Sequence, residues 1–167
     1  QISNLFMEKM NLGEALSLLK KEKSRLARLI SLRKENVFIE EDKKAGFDPK
    51  ELGEQINNKI EEIKKLKIQI QKTNLNTNLI GDKISIAEAI IQVNDIRSKI
   101  AQLNNLFERK RSSWYSYSEK EHRNLIPQLD ESEIEDEIER LEIEKSKLDN
   151  KIQMTNWKTE LVQNHAI

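Results

Sequence analysis

The stretch SIAEAIIQVNDIRSKIAQLNNLF, residues 85–107, decides the fold. Ile86, Val93, Ile100 and Phe107 recur every seven residues, with Ala89, Ile96 and Leu103 between them. A helix returns to nearly the same face after seven residues, so this spacing draws an apolar seam along one side for about three heptads. The stretch also carries its own start signal. Glu88 follows Ser85 by three, the spacing at which the Ser side chain accepts the Glu amide and the Glu carboxylate reaches back to the Ser amide.

The same signature opens three further segments. Asn11 with Glu14, Asp48 with Glu51, and Asp130 with Glu133 each precede apolar residues stepping by three and four. Pro49 suits the first helical position, where its missing N–H is not needed. The first seam runs through Leu12, Ala15, Leu19, Leu26 and Leu29, and the second through Leu52, Ile56, Ile63, Leu66 and Ile70. The fourth uses Ile134, Ile138, Leu141, Leu148 and Ile152. Glu22 and Lys23 interrupt the first seam and Lys145 the fourth, gaps that set register or partner choice at some cost in stability. The expectation is four helices of about 23 to 26 residues, roughly 35 to 39 Å each.

These helices form two copies of one unit. At an offset of 74, Leu12-Gly13-Glu14-Ala15-Leu16 aligns with Ile86-Ala87-Glu88-Ala89-Ile90, and Lys23-Ser24 with Arg97-Ser98. At an offset of 82, Ile70 through Leu79 aligns with Ile152 through Leu161. Heptad rhythm explains shared Leu and Ile. It does not explain the shared T-N-x-x-T-x-L at Thr73 and Thr155. The fold class is therefore all-α, a tandem-duplicated helical hairpin packed as an antiparallel four-helix bundle or as two splayed, coiled-coil-like arms. Residues 11–80 form the first repeat and 81–167 the second, within one structural domain. Residues 1–10 are read as an N-terminal tail, and Met7 and Met10 are candidate natural starts, with the expectation that residues 1–6 are not native.

Composition agrees with long exposed helices. Of 167 residues 35% are charged and 5% aromatic, with four Gly and two Pro, unlike an α/β enzyme built on glycine-rich turns. Lys and Arg number 29, as do Asp and Glu, so no global field draws nucleic acid or an acidic membrane. The chain has no Cys, which removes disulfides, thiolate catalysis and Cys-based metal sites. No apolar run approaches the roughly 20 residues that span a bilayer, and the first ten residues lack a secretory apolar stretch. The expected compartment is the cytoplasm.

Little in the chain points to chemistry. Glu119-x-x-His122 has the spacing of a carboxylate-bridged di-iron ligand pair, but that site takes two such pairs and two further Glu. The other histidine, His165, has Val162 where the Glu would stand. Glu14 and Glu88 occupy equivalent positions as paired carboxylates, and capping already accounts for them. The clusters Thr73/Asn74/Thr77 and Thr155/Asn156/Thr159 read as helix terminations, with a joint ligand site as the sharper alternative. No phosphate loop, nucleophile elbow or zinc helix is present. The protein is expected not to be an enzyme, with no catalytic residue, no cofactor and no metal site.

The connection from Lys110 to Gln128 exceeds the usual helix–helix length. It sets Trp114, Tyr115 and Tyr117 beside Arg109, Lys110 and Arg111. These residues pack back on the hairpin tip, anchor a protein partner, or stack on single-stranded nucleic acid. Arg109, Arg111, Trp114, Tyr115 and Tyr117, with Trp157, are the candidate partner contacts. The partner is a second copy or another protein, with no strong nucleic-acid signal and no transmembrane segment.

Three motifs carry a family resemblance: Leu12-x-Glu14-Ala15-Leu16, Tyr115-Ser116-x-Ser118-Glu119, and Thr155-Asn156-Trp157-x-Thr159-Glu160-Leu161. In these the chain resembles a septicolysin-like family of small prokaryotic helical proteins, departing from its pattern at Tyr117, where an Arg is expected. The resemblance implies a membrane-active, lysin-like alternative to the leading expectation of an oligomeric all-α interaction or scaffold protein. A metal-binding or enzymatic helical bundle is the third reading.

Overall fold

The computed structural model describes residues 10–44, 46–108 and 126–163. Four long helices lie among them: α1 (Leu12–Asn36), α2 (Pro49–Asn76), α3 (Ile86–Asn104) and α4 (Glu131–Lys158). No strand is formed among the described residues. α1 packs along α2 and α3 along α4, giving two hairpins. α1 meets α4, and α2 meets α3, over a shorter length.

The core sits where the hairpins join. Leu12 and Ala15 from α1, Leu66 and Ile70 from α2, Ile86 from α3 and Leu161 beyond α4 form one buried cluster. Leu79, Ala89, Val93 and Ile152 form a second. Beyond this base each hairpin is only two helices thick and cannot enclose its seam. In the first arm Leu52, Ile56 and Ile63 of α2 are buried while Leu26 and Leu29 opposite them are half-buried. In the second arm Ile96 and Ile100 of α3 are buried against half-buried Ile134, Ile138 and Leu141. The expected four-helix packing is thus confined to the base, with the hairpins continuing from it as arms.

Two of the four expected capping boxes form. Asn11 with Glu14 and Ser85 with Glu88 make both reciprocal bonds. Asp48 and Asp130 accept instead from Lys50 N and Ser132 N, one residue earlier, and no reciprocal bond from Glu51 or Glu133 accompanies them. The backbone explains the split. Asn11 and Ser85 are held at ψ 164 and 160 by antiparallel pairing with Glu160 and Asn78. Asp48 and Asp130 lie at the far ends of the arms with ψ 117 and 120, which turns the short carboxylate toward the nearer amide. α3 also stops sooner than its seam implied. Asn105 caps it, donating to Ala101 O and Gln102 O, so Phe107 lies beyond the helix.

The two repeats are joined reciprocally. Leu12 N donates to Thr159 O and Ile86 N to the equivalent Thr77 O, at 2.8 and 2.9 Å. Leu161 N donates to Met10 O at 2.8 Å, as Leu79 N does to Ile84 O at 2.9 Å. The described ends of the chain therefore meet in the pattern that the linker between repeats makes in its middle. That linker turns through Gly81, whose φ of 70 lies in the left-handed region that glycine enters without a Cβ penalty.

Candidate functional site

The shared Thr-Asn motif lies at the joint. The helices do not end at its first residues: α2 continues to Asn76 and α4 to Lys158, with Thr77 and Thr159 as their C-caps. Thr73 and Thr155 are 0% and 2% exposed, Asn74 and Asn156 6% and 4%. Thr73 Oγ1 donates to Gln69 O in its own helix and accepts from Val162 N of the other repeat at 3.0 Å. Thr155 Oγ1 donates to Lys151 O and accepts from Ile80 N at 3.1 Å. Each hydroxyl thus satisfies a backbone amide that has just left the opposite repeat's helix. Gln69 Nε2 adds a bond to Val162 O. The two threonine hydroxyls are spent on backbone and act as a clasp between the repeats, while Gln69 Oε1 and Asn156 Oδ1 are buried in the same joint with no hydrogen-bond partner among the described residues.

Trp157 belongs to the same joint. Its indole lies against Gly13 so closely that a Cβ there would come within 2.8 Å of Cδ2. The ring's other side is open, and the residue is 56% exposed. Glu14 and Glu88 are occupied at their own N-caps, with Glu14 Oε2 accepting from Asn11 N and Glu88 Oε2 from Ser85 N. The Ser85 amide, with the Ser85 hydroxyl, holds the Glu88 carboxyl below the usual range.

The interruption of the first seam is an ion-pair network. Glu22 is 8% exposed and meets Lys59 Nζ at 2.7 Å and Arg25 Nη1 at 2.7 Å. Lys59 also meets Glu62 at 2.6 Å. Burial works against the Glu22 charge, but the Lys59 hydrogen bond and the charges of Lys59 and Arg25 outweigh it, leaving the carboxyl below its ordinary range. The hydrogen bonds to Glu22 and Glu62 hold the Lys59 ammonium above its ordinary range against the effect of burial.

Apolar side chains lack cover at the outer ends of the hairpins, at Ile126 and Leu129 before α4 and, as a cluster, at the tip of the first hairpin. Phe38 is 89% exposed, with Val37, Ile39 and Phe47 each above half. The tip is nonetheless fastened. Asn36 Nδ2 donates to Leu32 O, and Asn36 Oδ1 accepts from Phe47 N. Arg33 Nε donates to Pro49 O, and its guanidinium lies over Gly53, where a Cβ would come within 2.9 Å. Sequence reasoning weighed only the longer second connection and passed over this one. The signal was present: Phe38 and Phe47, two of four Phe, fall between helices and off any seam.

Arg109, Lys110, Arg111, Trp114, Tyr115, Tyr117, Glu119 and His122 lie outside the described residues. Among the described residues there is no group of three or more His, Cys, Asp and Glu placed to hold a metal ion. Nor is any described helix long and apolar enough to cross a membrane.

Comparison with known proteins gives a family and a fold. A family model described as "Family of unknown function (DUF6847)" matches residues 20–161. That match overturns the septicolysin-like assignment. Most residues that carried it have structural duties here: Leu12 and Ala15 are core, Glu14 is a cap, and Thr155, Asn156, Trp157 and Thr159 build the joint. A crystal structure of a functionally unknown conserved protein from Corynebacterium diphtheriae is similar to this chain. Its TM-score is 0.82 at 25% identity, over 93% of this chain and 100% of that one. No curated protein matches.

Proposed function

For a chain that belongs to this family of unknown function, we propose the role of an all-α, oligomeric interaction scaffold that performs no catalysis. Its tips present contact surface to a protein partner. The observation that carries this reading is the fastened yet uncovered tip of the first hairpin, where Phe38 stands 89% exposed. An apolar cluster costs free energy in water unless it is covered, and aromatic side chains on a fixed backbone lose little entropy when they bind. The cytoplasm is the proposed compartment, a setting that suits a chain with no cysteine. With the septicolysin-like assignment withdrawn, the lysin-like alternative has no observation behind it.

A photo-reactive phenylalanine at position 38, incorporated in cells, tests the reading. A discrete protein adduct that vanishes when the probe is moved to the buried joint is the expected result. Diffuse or absent adducts overturn the tip as a contact surface.

A further inference from the structure

The two arms carry opposite charge. Residues 11–80 hold fifteen Lys and Arg against eleven Asp and Glu, while residues 81–167 hold thirteen against seventeen. On the helices the basic excess runs along α1 from Lys20 to Lys34, and the acidic excess lies on the outer half of α4. On α1, Lys20, Lys21, Lys23, Arg28 and Lys34 are exposed and form no ion pair among the described residues. On α4, Glu133, Glu135, Asp136, Glu139 and Glu144 are exposed and likewise form none.

Apolar residues accompany the charges. Leu16, Lys20, Lys23, Ala27, Ile30 and Lys34 step by four and three along α1, one stripe beside the seam, and every one is exposed. On α4, Asp136, Glu139, Ile143, Lys147, Met154 and Trp157 fall on an exposed stripe that is acidic at its outer end. Leu16 and Ile30 are 38% and 49% exposed, and Ile143 and Met154 50% and 52%. Trp157 of the α4 stripe lies over Gly13, three residues before Leu16 on the α1 stripe, so the base ends of the two stripes adjoin on one side of the molecule.

We infer that this side is a self-association surface, with the basic stripe of α1 docking on the acidic stripe of α4 from a second copy. Rotation about a twofold axis brings α1 over the partner's α4 and α4 over the partner's α1 together, so one isologous contact satisfies both imbalances and closes as a dimer. Like-charged arms would meet under any arrangement that paired α1 with α1, which selects against it. The inference rests on the oligomeric part of the proposed function and supplies its partner. It does not involve the tip.

Charge-reversed variants of the full chain test it by light scattering and sedimentation. One variant carries Lys20→Glu, Lys23→Glu and Lys34→Glu; the other carries Asp136→Lys and Glu139→Lys. All five positions are exposed, and far-ultraviolet circular dichroism checks that helix content is unchanged. The wild type is expected at twice the 19.6 kDa chain mass. Its dissociation should increase between about 0.1 M and about 1 M salt, as the screening length falls from about 10 to about 3 Å. Each variant alone should dissociate at least about tenfold more readily, and an equimolar mixture of the two should recover the dimer mass. A dimer indifferent to salt and to both variants overturns the charge-paired surface and leaves an oligomeric scaffold standing. A wild type that stays at one chain mass in both salts overturns self-association, and the position-38 probe then decides separately whether the tip engages another protein.

Discussion

The two hairpins agree at one end and differ at the other. At the base the residues that bond or bury across the joint have counterparts doing the same work: Thr73 with Thr155, Leu12 with Ile86, Leu79 with Leu161. Along the arms the counterparts part company. Glu22 and Lys59, an ion pair in the first arm, correspond to Ile96 and Leu141 in the second. Arg33 over Gly53 corresponds to Phe107 and Glu135. The joint therefore tolerates little change because each repeat completes the other's backbone bonding, while an arm two helices thick leaves room for either polar or apolar solutions. The difference teaches where to look for function: in the arms and tips, with the base as the part that holds them.

The largest expected effect breaks the agreement at the base. Leu12→Ala and Ile86→Ala each remove a side chain that is 0% exposed, and each should cost about 2 to 5 kcal/mol. Matching losses in urea unfolding would support equivalence of the repeats. A loss confined to one would break it.

Next come the clasp hydroxyls. Thr73→Val strands the Val162 amide and Thr155→Val the Ile80 amide, each at about 1 to 3 kcal/mol. The same measurement should find the two costs within about 1 kcal/mol of each other, since the geometry is repeated.

The ion pair sharpens the contrast between arms. Glu22→Ala leaves Lys59 partly buried beside Glu62, and is expected to cost about 1 to 2 kcal/mol, less than a fully enclosed pair because solvent reaches Lys59. The double change Glu22→Ile and Lys59→Leu copies the second arm and should be neutral or stabilising. Because the Glu22 carboxyl is held below its ordinary range, the pair's stabilisation is present above about pH 4 and is lost as pH falls through the folded value. Because Lys59 is held above its ordinary range, its share is lost only as pH rises beyond about 10. In acid unfolding the double variant should therefore gain on the wild type as pH falls below about 4, because it has no Glu22 carboxylate to protonate.

The smallest effect concerns Gly13 and Trp157. Their counterparts are Ala87 and Leu75, a larger residue facing a smaller one. Gly13→Ala pushes the indole away and should cost about 1 kcal/mol or less, since the exposed ring has room to move. Adding Trp157→Leu should recover that loss, which thermal unfolding can follow.

Much of this was legible in the sequence, for physical reasons that also mark its limit. Heptad spacing and N-cap pairs are local, so the four helices and the hairpin order could be read from Ser85 and Glu88 outward. The repeat of Thr-Asn-x-x-Thr was visible, but its use was not. A capping segment and a buried cross-repeat clasp have the same residues, and only the meeting of Met10 with Leu161 distinguishes them. The half-covered seams were equally hidden, because periodicity names a face without saying how many helices cover it. Of the candidate partner contacts only Trp157 falls among the described residues, and its tie to Gly13 depends on two helices far apart in the chain.

Native-state hydrogen exchange at the amides of Ile80 and Val162 tests the reciprocal joint most directly. If the two repeats hold each other, both amides should exchange only with unfolding of the whole molecule, at matching free energies and with the same dependence on denaturant. Exchange of one amide through an opening that leaves the other protected would contradict the account, because it would make the hairpins separate units and not halves of one clasp.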